Sequence, residues 1–140
     1  MPSRLVTVSV AMMLAFPSFA APQTNSGAQT TGAARGEYIV KDVAMCWTCH
    51  TPPGPDGLPD QQRWLLGGPV PFQPARTTAN WAIVAPRLAG LPPGTDEEFI
   101  KLMMTGIART GSPPKPPMPQ FRMTRADAEA VLVYLKSIKN

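Results

Sequence analysis

Cys46-Trp47-Thr48-Cys49-His50 sets two thiols three residues apart and an imidazole directly after the second. These are the only two cysteines and the only histidine of the 140-residue chain. C-x-x-C-H is the attachment signature of c-type haem. The two thiols add across the two vinyl groups of a porphyrin, and the next residue offers an imidazole to the iron. A helical turn brings positions three apart onto one face, so both sulfurs reach one edge of the macrocycle. The expected cofactor is one covalent haem c, carried by Cys46 and Cys49, with His50 as an axial ligand of its iron. Two other chemistries use these residue types. A thiol–disulfide oxidoreductase would need its C-x-x-C in a βαβ context, and no such pattern is visible. A structural zinc site usually takes four protein ligands, and two Cys with one His fall short.

A second axial ligand cannot be histidine, because His50 is alone. Met/His ligation is an electron-transfer arrangement that raises the reduction potential. Five methionines follow residue 20: Met45, Met103, Met104, Met118 and Met123. Met45 abuts Cys46 and belongs to the attachment side, and Met103 and Met104 read as helical core filling. Met123 precedes the last helix and is the weaker rival. Met118 is framed by Pro116, Pro117 and Pro119, which predicts an extended, stiff backbone holding the sulfur with little entropy left to lose. His50 and Met118 are therefore the expected iron ligands. The other ring N–H of His50 should donate to a backbone carbonyl, with Pro52, Pro53 and residues near Gly67 as candidates. Trp47, Thr48, Trp64 and Trp81 read as packing residues. No catalytic residue is expected: the chain reads as an electron carrier, not an enzyme. A haem-based ligand sensor, with Met118 away from the iron, is the alternative that keeps the cofactor.

The surrounding elements must position these groups. Residues 1–20 have the anatomy of a secretory signal, with Arg4, the uncharged apolar run Leu5 to Phe16, and Ser18-Phe19-Ala20 before the cleavage point. Export to the periplasm is expected, with no integral membrane segment once the signal is cleaved, since the run falls short of the roughly 20 residues a span requires. Removal of Arg4 takes the formal charge from +4 to +3. The cations are spread along the chain without a basic run, so nucleic-acid binding has no support.

Residues 21–34 are small and polar and read as a flexible leader. Residues 35–140 form the domain. Ile39, Val43 and Cys46 recur at helical spacing, predicting a short helix that runs straight into the haem motif. Residues 51–94 are rich in proline and glycine yet carry Trp64, Leu65, Leu66, Phe72, Trp81, Ile83, Val84 and Leu88. Such an apolar loop is expected to wrap a flat, greasy cofactor. Thr95-Asp96-Glu97-Glu98 is a capping box for a helix of about three turns. Thr124 with Asp127 begins a last helix, whose apolar face is Val131, Tyr134, Leu135 and Ile138. No strand is expected, so the fold class is all-α: three to five short helices with long proline-rich loops around one haem.

The order of helix, C-x-x-C-H, proline-rich loop, proline-framed Met and a final helix ending Tyr134-Leu135-Lys136-Ser137 resembles the class I cytochrome c fold over about residues 35–139. Arg35-Gly36-Glu37-Tyr38-Ile39-Val40, Cys49-His50-Thr51-Pro52, Leu66-Gly67-Gly68, Thr95-Asp96-Glu97-Glu98-Phe99 and Pro117-Met118-Pro119 are similar to the cytochrome c domains of bacterial alcohol and aldehyde dehydrogenases. The resemblance implies Cys46 and Cys49 as thioether sites, His50 as proximal and Met118 as distal ligand. It also implies a redox-protein donor, a dehydrogenase among the candidates, and a downstream cytochrome or oxidase as acceptor. Two stretches depart from those domains. Only Asn80 remains of their Asn-x-Thr-Pro-Asp segment, and Gly90-Leu91-Pro92-Pro93-Gly94 replaces a Gly-Ile-Gly-x-Trp.

Overall fold

The computed structural model describes residues 32–139, apart from 77 and 79. The expected signal at 1–20 and residues 21–31 of the expected leader lie outside the described residues. Helix α1 spans Gly32–Tyr38 and a π-helical turn follows over Ile39–Val43. Helix α2 is a single turn, Trp47–His50, α3 spans Asp96–Thr105 and α4 spans Arg125–Ser137. The architecture is mostly helical, as the sequence predicts, with long loops between α2 and α3 and between α3 and α4.

Three boundaries differ from expectation. The leader ends earlier than residue 34, because Gly32, Ala33 and Ala34 already belong to α1, whose Arg35 is tied to Asp127 of α4 at 2.9 Å. The first helix does not run straight into the haem motif. It ends in the π-helical turn, and Met45 takes a left-handed φ of 46° before α2 begins. That break lets α2 leave at its own angle, with the Cys46 N–H still donating to the Val40 carbonyl at 3.0 Å. A short antiparallel pair is also present, β1 (Gly68–Pro69) with β2 (Val84–Ala85). At two residues each, these strands are too brief to leave an alternating pattern in the sequence.

The two long helices begin where local chemistry dictates. Thr95 Oγ1 accepts from the Glu98 N–H and the Glu98 carboxylate accepts from the Thr95 N–H, a complete capping box. Thr124 caps α4 by accepting from the Asp127 N–H at 3.1 Å. Each helix then turns an apolar stripe inward: Phe99, Ile100 and Met103 from α3, and Ala128, Val131, Leu132 and Leu135 from α4. Ile39, Val40, Leu65, Leu88 and Ala89 complete the core. Lys136 reaches Asp96 at 2.6 Å and Arg125 reaches Glu97 at 2.7 Å, linking α4 to the start of α3 at the exposed edge.

The closest helix contact is α1 against α4, and Gly36 makes it. A Cβ there would overlap the Ala130 carbonyl and come within 2.8 Å of Tyr134 Cβ. Gly36→Ala should therefore destabilise the protein by about 1–3 kcal/mol, the usual cost of overpacking a tight contact. Urea unfolding monitored by circular dichroism measures it, and an unchanged midpoint would show that the two helices can separate freely.

Candidate functional site

A cavity of about 320 Å³ opens beside α2, and its walls come from every part of the domain. Cys46, Cys49 and His50 form one wall. Ala82, Val84, Ala85 and Pro86 form a second, Phe99, Leu102 and Met103 of α3 a third, and Met118, Phe121 and Met123 a fourth, with Val131 and Leu135 of α4 at the base. The lining is overwhelmingly apolar. Pockets for small cofactors are mostly apolar with a few placed polar groups.

His50 is the most tightly held of those groups. It is buried at 6% exposure, and its Nδ1 lies 2.7 Å from the Pro86 carbonyl oxygen. A carbonyl only accepts, so Nδ1 carries the proton and donates, which leaves the lone pair on Nε2. Burial pushes the His50 pKa down, partly opposed by the bond to Pro86, so the imidazole is neutral, the form that binds a metal. The acceptor is thus Pro86, not Pro52, Pro53 or a residue beside Gly67 in sequence, although the fold packs Gly67 against the backbone at Pro86. Gly67 does approach His50, but as a donor: its N–H reaches the His50 carbonyl at 2.7 Å.

The acceptor is held by a short chain of buried bonds. Thr51, 4% exposed, accepts from the Leu65 N–H at 3.0 Å, and the Leu65 carbonyl accepts from both Leu88 N–H and Ala89 N–H at 2.9 and 3.1 Å. Leu65 takes a left-handed φ of 56° at the centre of this arrangement. The segment 85–89 is thereby clamped across the back of α2. The sequence assigns no role to Pro86, nor to Thr51 beyond its place in the Cys49-His50-Thr51-Pro52 similarity. Thr51 resembles any loop threonine, and Pro86 acts through a backbone atom that every residue possesses.

The thiols of Cys46 and Cys49 are both free and both line the cavity. Burial pushes the Cys46 thiol up to about 11. A disulfide oxidoreductase needs the opposite shift, toward thiolate. Among the described residues no three His, Cys, Asp or Glu side chains converge as a metal cage, so this set does not fit a structural zinc.

Met118 lines the same cavity as His50, and so do Met45, Met103 and Met123. Met103 is 4% exposed within α3 and belongs to the core. The backbone at Met118 is not extended as the prolines suggest. Pro116 and Pro117 occupy a tight turn closed by the Met118 N–H to the Lys115 carbonyl at 3.2 Å, and the Pro116 carbonyl accepts from the Ala82 N–H at 2.7 Å. The stiffness is real but comes from a cross-linked turn. Proline fixes φ in turns as well as in extended chain.

The loop over 64–88 wraps the cavity less than its composition suggests. Of its nine large apolar residues only Val70, Val84 and Leu88 line it, beside the smaller Ala82, Ala85 and Pro86. Leu65 fills the core, Trp64 stacks on Trp47 with ring centroids 6.1 Å apart, and Phe72 and Ile83 are exposed. Trp81 donates to the Phe72 carbonyl at 3.1 Å, bracing the loop rather than lining the site.

The cytochrome c family model matches residues 33–139. The chain belongs to the cytochrome c family. Over 109 residues it is 28% identical to the fructose dehydrogenase cytochrome subunit of Gluconobacter japonicus, covering 74% of this chain and 21% of that one. Over 37 residues it is 51% identical to a protein described as a diheme cytochrome c-type from Cereibacter sphaeroides, covering 26% of this chain and 12% of that one. The cytochrome thus spans about a fifth or less of the length of these curated relatives.

Family membership implies covalently bound haem c with its iron, and the site chemistry of this cytochrome fits that group. It offers two free cysteines three apart, a neutral imidazole with one nitrogen pinned, thioethers from other walls, and a largely apolar enclosure. The pinning of His50 depends on Gly67, whose φ is 77° and whose Cβ would come within 2.6–2.8 Å of the backbone of residues 85–87. Gly67→Ala should push the Pro86 carbonyl off Nδ1, besides costing about 1–2 kcal/mol in left-handed strain. A less basic imidazole stabilises ferric iron less, so the reduction potential of the haem-loaded variant should rise. Voltammetry reads this, and an unchanged potential would show that Pro86 does not tune the ligand.

Proposed function

We propose that this cytochrome is a single-haem, exported electron carrier with His50 and Met118 as its axial iron ligands. In that reading it accepts electrons from a dehydrogenase, as its subunit or soluble partner, and delivers them to a downstream cytochrome or oxidase. The observation that carries the proposal is the fixed tautomer of His50, buried beside Cys46 and Cys49 against a largely apolar cavity. When bound, haem supplies a one-electron ferric/ferrous couple. Cys46 and Cys49 would fix its orientation, and Pro86 would hold the His50 ring through Nδ1. Met118 is positioned by its cross-linked turn, and the apolar walls exclude water, limiting the reorganisation that each charge change costs.

The export signal read in residues 1–20 supports a periplasmic location, where bacterial c-type maturation takes place. The likeness to a dehydrogenase cytochrome subunit supports the donor class. Among the described residues no helix is long and apolar enough to cross a membrane.

The protein produced in a host with c-type maturation machinery should carry the mass of one haem and show no alkylatable thiol. Haem extractable by acid-acetone, or two free thiols in the folded protein, would return the C-x-x-C to thiol chemistry. Carbon monoxide separates carrier from sensor. It should bind ferrous Met118→Ala readily and the ferrous wild type poorly, and equal binding to both would mean that Met118 does not close the iron.

A further inference from the structure

Haem brings two propionate carboxylates on the edge of the macrocycle away from its vinyl groups. An ionised carboxylate in an apolar pocket needs water or a paired cation. Among the described residues that line the cavity, two carry a cationic side chain, Arg109 and Lys115. Both are exposed, which places their charges at the mouth rather than the base.

Among the described residues, ion pairs take up Arg35, Lys41, Arg63, Arg125 and Lys136, all away from the cavity. Arg109 and Lys115 take part in none of them. Their backbones are nonetheless fixed. Around Arg109 the loop is closed by Ala108 N–H to Ser112 O and Gly111 N–H to Ala108 O, both at 2.9 Å, and the Lys115 carbonyl closes the turn that carries Met118. The one carboxylate in the lining, Glu98, is already used, its Oε2 accepting from the Thr95 N–H at 2.8 Å. Thr48 likewise spends its hydroxyl on the Met45 carbonyl.

Building on the haem reading above, we propose that Arg109 and Lys115 are the residues that hold the haem propionates at the cavity mouth. Arg109 offers a planar fork that can take a carboxylate through two parallel bonds, and Lys115 a single mobile ammonium. Pairing offsets the negative charge that would otherwise favour ferric iron, so the two residues also hold the reduction potential up. Because Lys115 shares its turn with Met118, one short loop would carry both a propionate anchor and the distal ligand.

The test uses haem-loaded wild type, Arg109→Gln, Lys115→Gln, the double variant and Lys101→Gln. Lys101 is exposed, unpaired among the described residues and outside the cavity. Resonance Raman spectra report the propionate bending modes, which respond to hydrogen bonding at the carboxylates. Those modes should shift in each single variant and further in the double variant, with a fall in potential larger than that of Lys101→Gln. Unmoved propionate modes in haem-loaded variants overturn the assignment, whatever the potential does, and would leave the two cations to a docking partner. A wild type isolated without covalent haem overturns the underlying reading, and this assignment with it.

Discussion

One hydrogen bond, from His50 Nδ1 to the Pro86 carbonyl, organises this domain around its candidate iron site. A buried imidazole has two nitrogens and can give only one to a metal. The protein decides which by spending the other on an acceptor that cannot exchange roles. That decision is costly to maintain, because Pro86 lies 36 residues away, just past the two-residue strand β2 in a long proline-rich loop. The rest of the proximal side exists to keep it there. Thr51 fixes Leu65, the Leu65 carbonyl fixes Leu88 and Ala89, and Gly67 allows backbone to approach backbone where no side chain would fit. Buried polar groups are stable only when paired, and here each pairing also sets a position.

The helices serve the same end from the opposite direction. α1 and α4 close on each other through Gly36, and α3 lies across α4 with Phe99 and Met103 turned inward. A domain of this size buries one modest core, and part of its apolar surface lines an open cavity instead. A bound macrocycle would complete that core, so cofactor attachment and stability are coupled. The same coupling accounts for loops that carry so much proline: with few helical hydrogen bonds between residues 51 and 95, rigidity comes from fixed φ angles and isolated cross-links such as Ala82 to Pro116.

What could be read from the sequence was whatever depends on residue type at short range. The capping box at Thr95 and the cap at Thr124 are local patterns that stand where the sequence puts them. Of the expected α4 stripe, Val131 and Leu135 are buried while Tyr134 and Ile138 are half-buried, Ile138 lying just past the helix. The continuation of α1 into the haem motif was misread because helical spacing cannot reveal a left-handed Met45. The Pro116–Pro117 segment was misread as extended because proline suits a turn equally well. The acceptor of His50 was out of reach in principle, since a carbonyl carries no mark of its residue and long-range contact selects it. The apolar loop was only half understood: its composition signals burial, but not whether the core or the cavity receives each side chain. The export signal and residues 21–31 of the leader lie outside the described residues.

The central claim is that this cavity holds one iron between His50 and Met118. Ring current in a ferrous, low-spin haem moves the methyl group of an axial methionine far upfield of ordinary methionine methyls. With methionine methyls labelled with carbon-13, the haem-loaded ferrous protein should show one such resonance, and it should vanish in Met118→Leu while those of Met45, Met103, Met104 and Met123 remain in place. A shifted methyl assigned to any other methionine, or none at all, would contradict the account.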